Sequence, residues 1–339
     1  MANTELIAKL SNAFGVSGYE EEVRNILKEE IKGFVDRIEI DSLGNLIALK
    51  NMQANGPKVM LNAHMDEVGL IVDHIDENGF LGFKKVGGID DRVLAGKRVL
   101  VGKSKVPGVI GVKAIHLQSA EEVKNTIPSK NLYIDIGAKS KEEAEKIAPP
   151  GTPVMFKTEF ETLKKGIHIG KAFDDRLGCA LIVDLLKENY NLPIIALFSV
   201  QEEIGLRGAA TGAYQYTPDI SITLEGTISA DLPEVKDHLK CTRLGKGPVI
   251  TIKDSGTITD HALREKLISL AKRQKIPYQF KQLLAGGTDA YRIQLSKGGV
   301  KVLTVAVPVR YIHSPVSLFY EEDYDNTLKL IKRFIKTLS

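Results

Sequence analysis

The sequence predicts an α/β fold interrupted by a small β-rich insertion, and three observations carry that prediction. Short apolar segments rich in Val, Ile and Leu, at residues 59–63, 194–200, 220–224 and 302–307, alternate with helix-spaced patterns. Such continuous apolar strands belong to a sheet buried on both faces. Between about residues 69 and 166 the pattern changes to brief strands separated by Gly, Pro and Asn-Gly turn signals. Because α/β patterning stands on both sides of that stretch, it reads as an insertion. Residues 1–66 and 167–339 then form one discontinuous α/β domain, and residues 67–166 an inserted β-rich one. A chain of 339 residues suits this division, since single cores usually stop growing at roughly 250 to 300 residues.

The elements follow in order. Ser17-Gly18-Tyr19-Glu20 has capping-box spacing ahead of Val23, Ile26, Leu27 and Ile31, which recur at helical intervals. A strand pattern occupies residues 45–50, before the first apolar strand at 59–63. Within the insertion, strands are expected at 79–83, 98–101, 109–112 and 132–136. A helix at 139–148 ends at Pro149-Pro150, which cannot continue it. Phe173-Asp174-Asp175-Arg176 then opens a helix carrying Leu177, Leu181, Leu185 and Leu186.

Composition narrows the partners. The chain has 46 basic and 43 acidic residues, no basic run and no Trp, so nothing argues for nucleic acid. No segment reaches the roughly 20 apolar residues that span a bilayer, and charged residues break up the first nine positions before a signal-peptide core could form. Cys179 and Cys241 are the two cysteines, too few for a disulfide framework. The expected partner is a peptide or small molecule, and the expected location the cytoplasm.

Acidic and histidine residues sit where predicted strands end. Residues 59–63 run into His64-Met65-Asp66-Glu67, and 194–200 into Gln201-Glu202-Glu203. Residues 220–224 run into Glu225-Gly226-Thr227, and 302–307 lead to His313. Ligands of open α/β sheets bind beyond the carboxyl ends of the strands, so four strands deliver His or Glu to one edge. Asp174 alone reads first as a helix N-cap. Together these imidazoles and carboxylates form a zinc-type ligand set. Asp66, two residues from His64 on an extended segment, points to the same side and can orient the ring. The loop Ala285-Gly286-Gly287-Thr288-Asp289 either shapes a pocket or is simply a turn that needs glycine.

Five blocks now carry a resemblance: Ala63 to Gly69, Lys171 to Arg176, Gln201 to Gly205, Leu224 to Thr227 and Arg310 to Pro315. They resemble, in order, the signature blocks of the glutamyl and tetrahedral aminopeptidase family, some of whose members are called endoglucanases. The resemblance implies a mixed-sheet, di-zinc exopeptidase-like catalytic domain with a PDZ-like insert for oligomer contacts. It implies an aminopeptidase with two divalent metal ions per subunit, most readily Zn or Co. Asp174 would bridge them, with His64 and Glu225 on one ion and Glu203 and His313 on the other. Glu202 would be the general base, Asp66 the partner of His64, and the Asp174–Asp175 bond cis. Peptides would be the substrates, and subunits would assemble as homodimers or tetrahedral dodecamers. A glycoside hydrolase working through two carboxylates is the enzymatic alternative. It gives His64 and His313 no task. A non-catalytic scaffold capturing peptide ends is a third reading, favoured by loss of a ligand or of Glu202. No such loss occurs.

Overall fold

The computed structural model describes residues 2–282 and 286–338. Helices α1 (Thr4–Asn12) and α2 (Glu21–Ile31) precede β1 (Arg37–Ile40), β2 (Leu46–Lys50) and β3 (Val59–His64). Six strands follow: β4 (Gly69–Ile75), β5 (Leu81–Val86), β6 (Arg98–Val101), β7 (Val106–Gly111), β8 (Tyr133–Asp135) and β9 (Pro153–Phe156). Between them lie α3 (Ala120–Lys124) and α4 (Lys141–Ile147). The chain continues through β10 (Glu161–Thr162), β11 (Ile167–Gly170), α5 (Phe173–Leu186), β12 (Ile194–Ser199), α6 (Arg207–Tyr216) and β13 (Ile220–Ile228). It ends with β14 (Val249–Ile250), α7 (His261–Arg273), β15 (Gln279–Phe280), α8 (Ala290–Gln294), β16 (Lys301–Arg310), β17 (Ser317–Tyr320) and α9 (Glu321–Ile335).

The large sheet has eleven strands in the order β1-β2-β12-β3-β13-β16-β17-β11-β10, with β14 on β16 and β15 on β14. It is mixed. Its centre, β12-β3-β13-β16, is parallel, and the strands outside it pair antiparallel except where β15 meets β14. Side chains alternate between two cores as strand geometry requires. Leu61, Ala196, Ile222 and Val305 face the larger core with Leu177 and Leu181 of α5, while Met60, Ile195, Leu197 and Val302 pack with Ala209 and Ala213 of α6. The sheet is thus covered on both faces, as its apolar runs require.

Strands β4 to β9 close into an antiparallel barrel of order β4-β5-β8-β7-β6-β9. Its core, including Leu70, Leu81, Val99, Ile110, Ile134 and Val154, is separate from those of the sheet. The sequence announced short strands here but not their closure. By Glu161 the chain has rejoined the large sheet through the pairing of β10 with β11.

Two local expectations give way. The capping box at Ser17 does not form, since α2 starts after Glu20 with no side-chain cap bond. Ser17 Oγ instead donates to Asp66 Oδ2 at 2.6 Å, and Glu20 Oε1 accepts from Gln201 N at 3.1 Å. At the start of α5 the capping bond belongs to Asp175, whose Oδ1 accepts from Gly178 N at 2.9 Å. The Asp174–Asp175 bond is cis, and Asp174 has non-helical φ/ψ of −86° and 102°. Its carboxylate is left to face the strand ends. Among the described residues no helix is long and apolar enough to cross a membrane.

Candidate metal centre

The four central parallel strands end side by side, and their ends build the site. His64 closes β3, Glu202 and Glu203 follow β12, Glu225 lies inside β13, and His313 comes three residues after β16. The backbone turns sharply there. Ala172, Gln201, Tyr311 and His313 all have left-handed φ, at 55°, 58°, 62° and 55°. For non-glycine residues such geometry costs of order 1–3 kcal/mol each, and it aims their neighbours into the crevice.

Asp174 stands between the two histidines. Its Oδ1 is 3.4 Å from His64 Nε2 and its Oδ2 is 3.5 Å from His313 Nε2. Glu225 Oε2 lies 3.7 Å from His64 Nε2, and Glu203 Oε2 3.4 Å from His313 Nε2. Two ligand-competent triads result, His64–Asp174–Glu225 and Asp174–Glu203–His313, and Asp174 belongs to both. A third grouping joins His64, Glu202 and Glu203. All seven sequence-chosen residues, Asp66 among them, gather in one place.

Each histidine has its other ring nitrogen held by a main-chain carbonyl, His64 Nδ1 by Asp66 O and His313 Nδ1 by Gly88 O, both at 3.1 Å. A donating Nδ1–H leaves the Nε2 lone pair directed at the carboxylates. The Asp66 carboxylate is farther from the ring, at 3.4 Å, and accepts instead from Glu202 N at 2.9 Å and Glu203 N at 3.1 Å. Asp66 therefore orients the glutamate loop with its side chain and His64 chiefly through its carbonyl. Gly88, on the loop after β5 of the barrel, had no sequence signal, because any residue type supplies a carbonyl.

Electrostatically the cluster is rich in carboxylates. Burial pushes Glu202 and Glu225 well above the usual carboxylate range and Glu203 up to about 7. Burial acts to lower His313, yet the Asp174 and Glu203 carboxylates raise it to about 9. Glu225 Oε1 is buried with no hydrogen-bond partner. Carboxylates so crowded and desolvated favour bound cations.

A cavity of about 630 Å³ opens from this cluster. Its floor crosses the sheet from Glu225, opposite Ala306 on β16, to Thr304 and Thr251, whose N donates to Thr304 O at 3.1 Å. Past β15 it reaches Lys281. Gly286, Gly287 and Thr288 also line it, so those three shape the pocket; Ala285, the first residue of the expected loop, lies outside the described residues. Asp289 is buried beneath, accepting from Ser199 Oγ and, at 3.2 Å, from Asn62 Nδ2.

The family model for M42 glutamyl aminopeptidases matches residues 44–330. The lysyl aminopeptidase of Pyrococcus furiosus is 34% identical, the alignment covering 100% of this chain and 98% of that protein. Among solved structures, a TET aminopeptidase from a marine sediment Thaumarchaeota archaeon superposes with a TM-score of 0.94 at 34% identity, covering 99% of this chain and 98% of that one. The TET1 peptidase of Pyrococcus horikoshii, described as assembling into a tetrahedron or a large octahedral shell, gives 0.86 at 37% identity, covering 97% and 98%. Fold and site thus define a peptidase, a hydrolase with a candidate metal cluster at the carboxyl edge of a mixed sheet. The chain belongs to the M42 glutamyl aminopeptidase family.

Proposed function

We propose that the protein removes N-terminal residues from peptides with two divalent cations, Zn or Co, held by the two triads. The observation that carries this reading is the sharing of Asp174, one carboxylate oxygen toward each histidine at 3.4 and 3.5 Å. The donor set fits: imidazole nitrogens and carboxylates suit such ions, and the buried Glu225 Oε1 has no hydrogen-bond partner of its own. Bound there, such a pair lowers the pKa of water toward neutrality and polarises a carbonyl.

The chain's own groups do the rest. Glu202, 4.0 Å from His64 Nε2, accepts a proton from the attacking water and returns it to the leaving amine. Asp66 fixes the main chain of Glu202 and Glu203 by accepting from both of their N–H groups. The carboxylates also attract the free α-amine that distinguishes an exopeptidase substrate.

The cavity supports a preference for acidic N-terminal residues. Lys281 is its only lysine or arginine among the described residues and forms no ion pair there. Three strand spacings, about 14 Å, separate it from Glu225, enough for both side chains and a substrate glutamate between them. The family name speaks of glutamyl and the Pyrococcus furiosus relative of lysyl substrates, so the choice rests on this lysine. A panel of glutamyl, aspartyl, lysyl and leucyl fluorogenic substrates tests it. Glutamyl hydrolysis should lead, and Lys281→Glu should lower its kcat/KM about ten- to a hundred-fold, the worth of one charged hydrogen bond. Turnover of none of these substrates refutes the aminopeptidase; an unaltered profile in the variant refutes only the acidic preference.

The finer division into a di-zinc exopeptidase-like catalytic domain at 1–66 and 167–339 and a PDZ-like oligomerisation domain at 67–166 is part of the same proposal. The separate barrel core supports it. The assembly of the Pyrococcus horikoshii neighbour supports self-association into dimers or larger shells.

A further inference from the structure

We infer that Glu20 is a positioning residue that holds the loop of Glu202 and Glu203 in its working geometry. The inference rests on the roles proposed above for those two residues. After β12 the chain turns through Gln201 at a left-handed φ of 58°, which takes the following N–H groups out of the strand ladder. Three successive N–H groups then need acceptors, since buried main-chain donors are rarely left unpaired. Two side chains supply them all: Gln201 N donates to Glu20 Oε1 at 3.1 Å, Glu202 N to Asp66 Oδ1 at 2.9 Å and Glu203 N to Asp66 Oδ2 at 3.1 Å.

Glu20 reaches this loop from 181 residues away in sequence and is 4% exposed. The same oxygen accepts from Gly18 N at 2.7 Å, so one carboxylate ties the N-terminal turn to the catalytic loop. That turn is itself fastened beside the site. Ser17 Oγ donates to Asp66 Oδ2 at 2.6 Å, Ser17 N to Glu67 O at 3.3 Å and Tyr19 N to Val16 O at 2.7 Å. Glu20 does not cap α2 with its side chain, and no ion pair among the described residues involves it. Burying an unpaired carboxylate beside Asp66 costs free energy, and the fold draws no cap or ion pair from it in return. What its side chain does hold is the main chain immediately before the proposed base. A displacement of about 1 Å at a reacting group can cost about a hundred-fold in rate, so this restraint bears on turnover.

The test uses the full-length, metal-loaded enzyme with Glu20→Ala, Glu20→Gln and Ser17→Ala, measured beside Glu202→Gln for kcat, KM, bound metal and melting temperature. Glu20→Ala should lower kcat about ten- to a hundred-fold with KM and metal content near those of the wild type. Glu20→Gln keeps an acceptor oxygen and should recover most of the loss. Wild-type kcat in Glu20→Ala overturns the inference, and so does equal impairment of both variants in step with lost folded protein. If Glu20→Ala does not fold, Ser17→Ala, which loosens the same turn from Asp66, must lower kcat at constant KM; unchanged kcat overturns the inference. An active Glu202→Gln enzyme would instead refute the proposed base, and an inactive one beside a normal Glu20→Ala refutes only the role of Glu20.

Discussion

Glu202 and Glu203 are neighbours of one residue type, yet the structure gives them different surroundings. Glu203 approaches His313 Nε2 at 3.4 Å within a shared-carboxylate triad, while Glu202 faces His64 from 4.0 Å. Replacing Glu202 with Gln keeps the shape but removes the proposed proton acceptor, so kcat should fall about 10²- to 10⁴-fold with metal retained. Glu203→Gln replaces a proposed charged ligand by a neutral amide. Its ion should bind more weakly, and activity should recover in part at high metal concentration. Elemental analysis beside kinetics separates the two. Loss of metal in Glu202→Gln with two tight ions in Glu203→Gln would reverse the assignment. At this scale the sequence was most legible where apolar runs break into charge, because a charged group among buried strands is kept only where it has a partner or a task. Thus His64, Glu203, Glu225 and His313 stood out. Ser17 and Glu20 were misread as a cap, since capping spacing and a long-range brace look identical in one dimension.

Among the elements, the contact between β13 and the start of α5 sets how closely Glu225 can approach Asp174. Gly226 makes it possible: a Cβ there would lie 2.9 Å from Asp174 Cα and from Phe173 O. Both are main-chain atoms that cannot swing aside. Gly226→Ala should therefore push β13 from the cis turn, weaken metal binding at His64–Asp174–Glu225 and lower activity at least about tenfold, with metal titration as the check. Wild-type affinity in that variant would mean the turn gives way more easily than its packing implies. Strand positions were readable from apolar content, and β3, β6 and β12 lie within one residue of expectation. The extension of β13 through Ile228 was not, because Glu225 and Gly226 look like a loop. Barrel closure was also hidden, since the pairing of Leu70 with Val154 joins segments far apart in sequence.

For the whole molecule, the barrel and the sheet meet at the site, where Gly88 O holds His313. The insertion thus contributes to the crevice as well as carrying its own core, so assembly through it and catalysis would be linked in space. Light scattering should report a particle well above the 37.2 kDa chain, and a fully active monomer would contradict that role for the insertion. The proposed centre holds two unequal ions that share Asp174. In the first triad His64 and Glu225 are 2% and 6% exposed, whereas His313 in the second is 39% exposed. Desolvation strengthens the charged contacts of the buried site, so it should hold its ion more tightly. The most direct measurement is stepwise titration of chelator-stripped enzyme with Zn or Co, following bound metal and peptide hydrolysis together. Two equivalents per subunit should bind with separated affinities, and full activity should appear only as the second fills. A single equivalent that restores full activity, or full activity in protein shown to contain no transition metal, would contradict it.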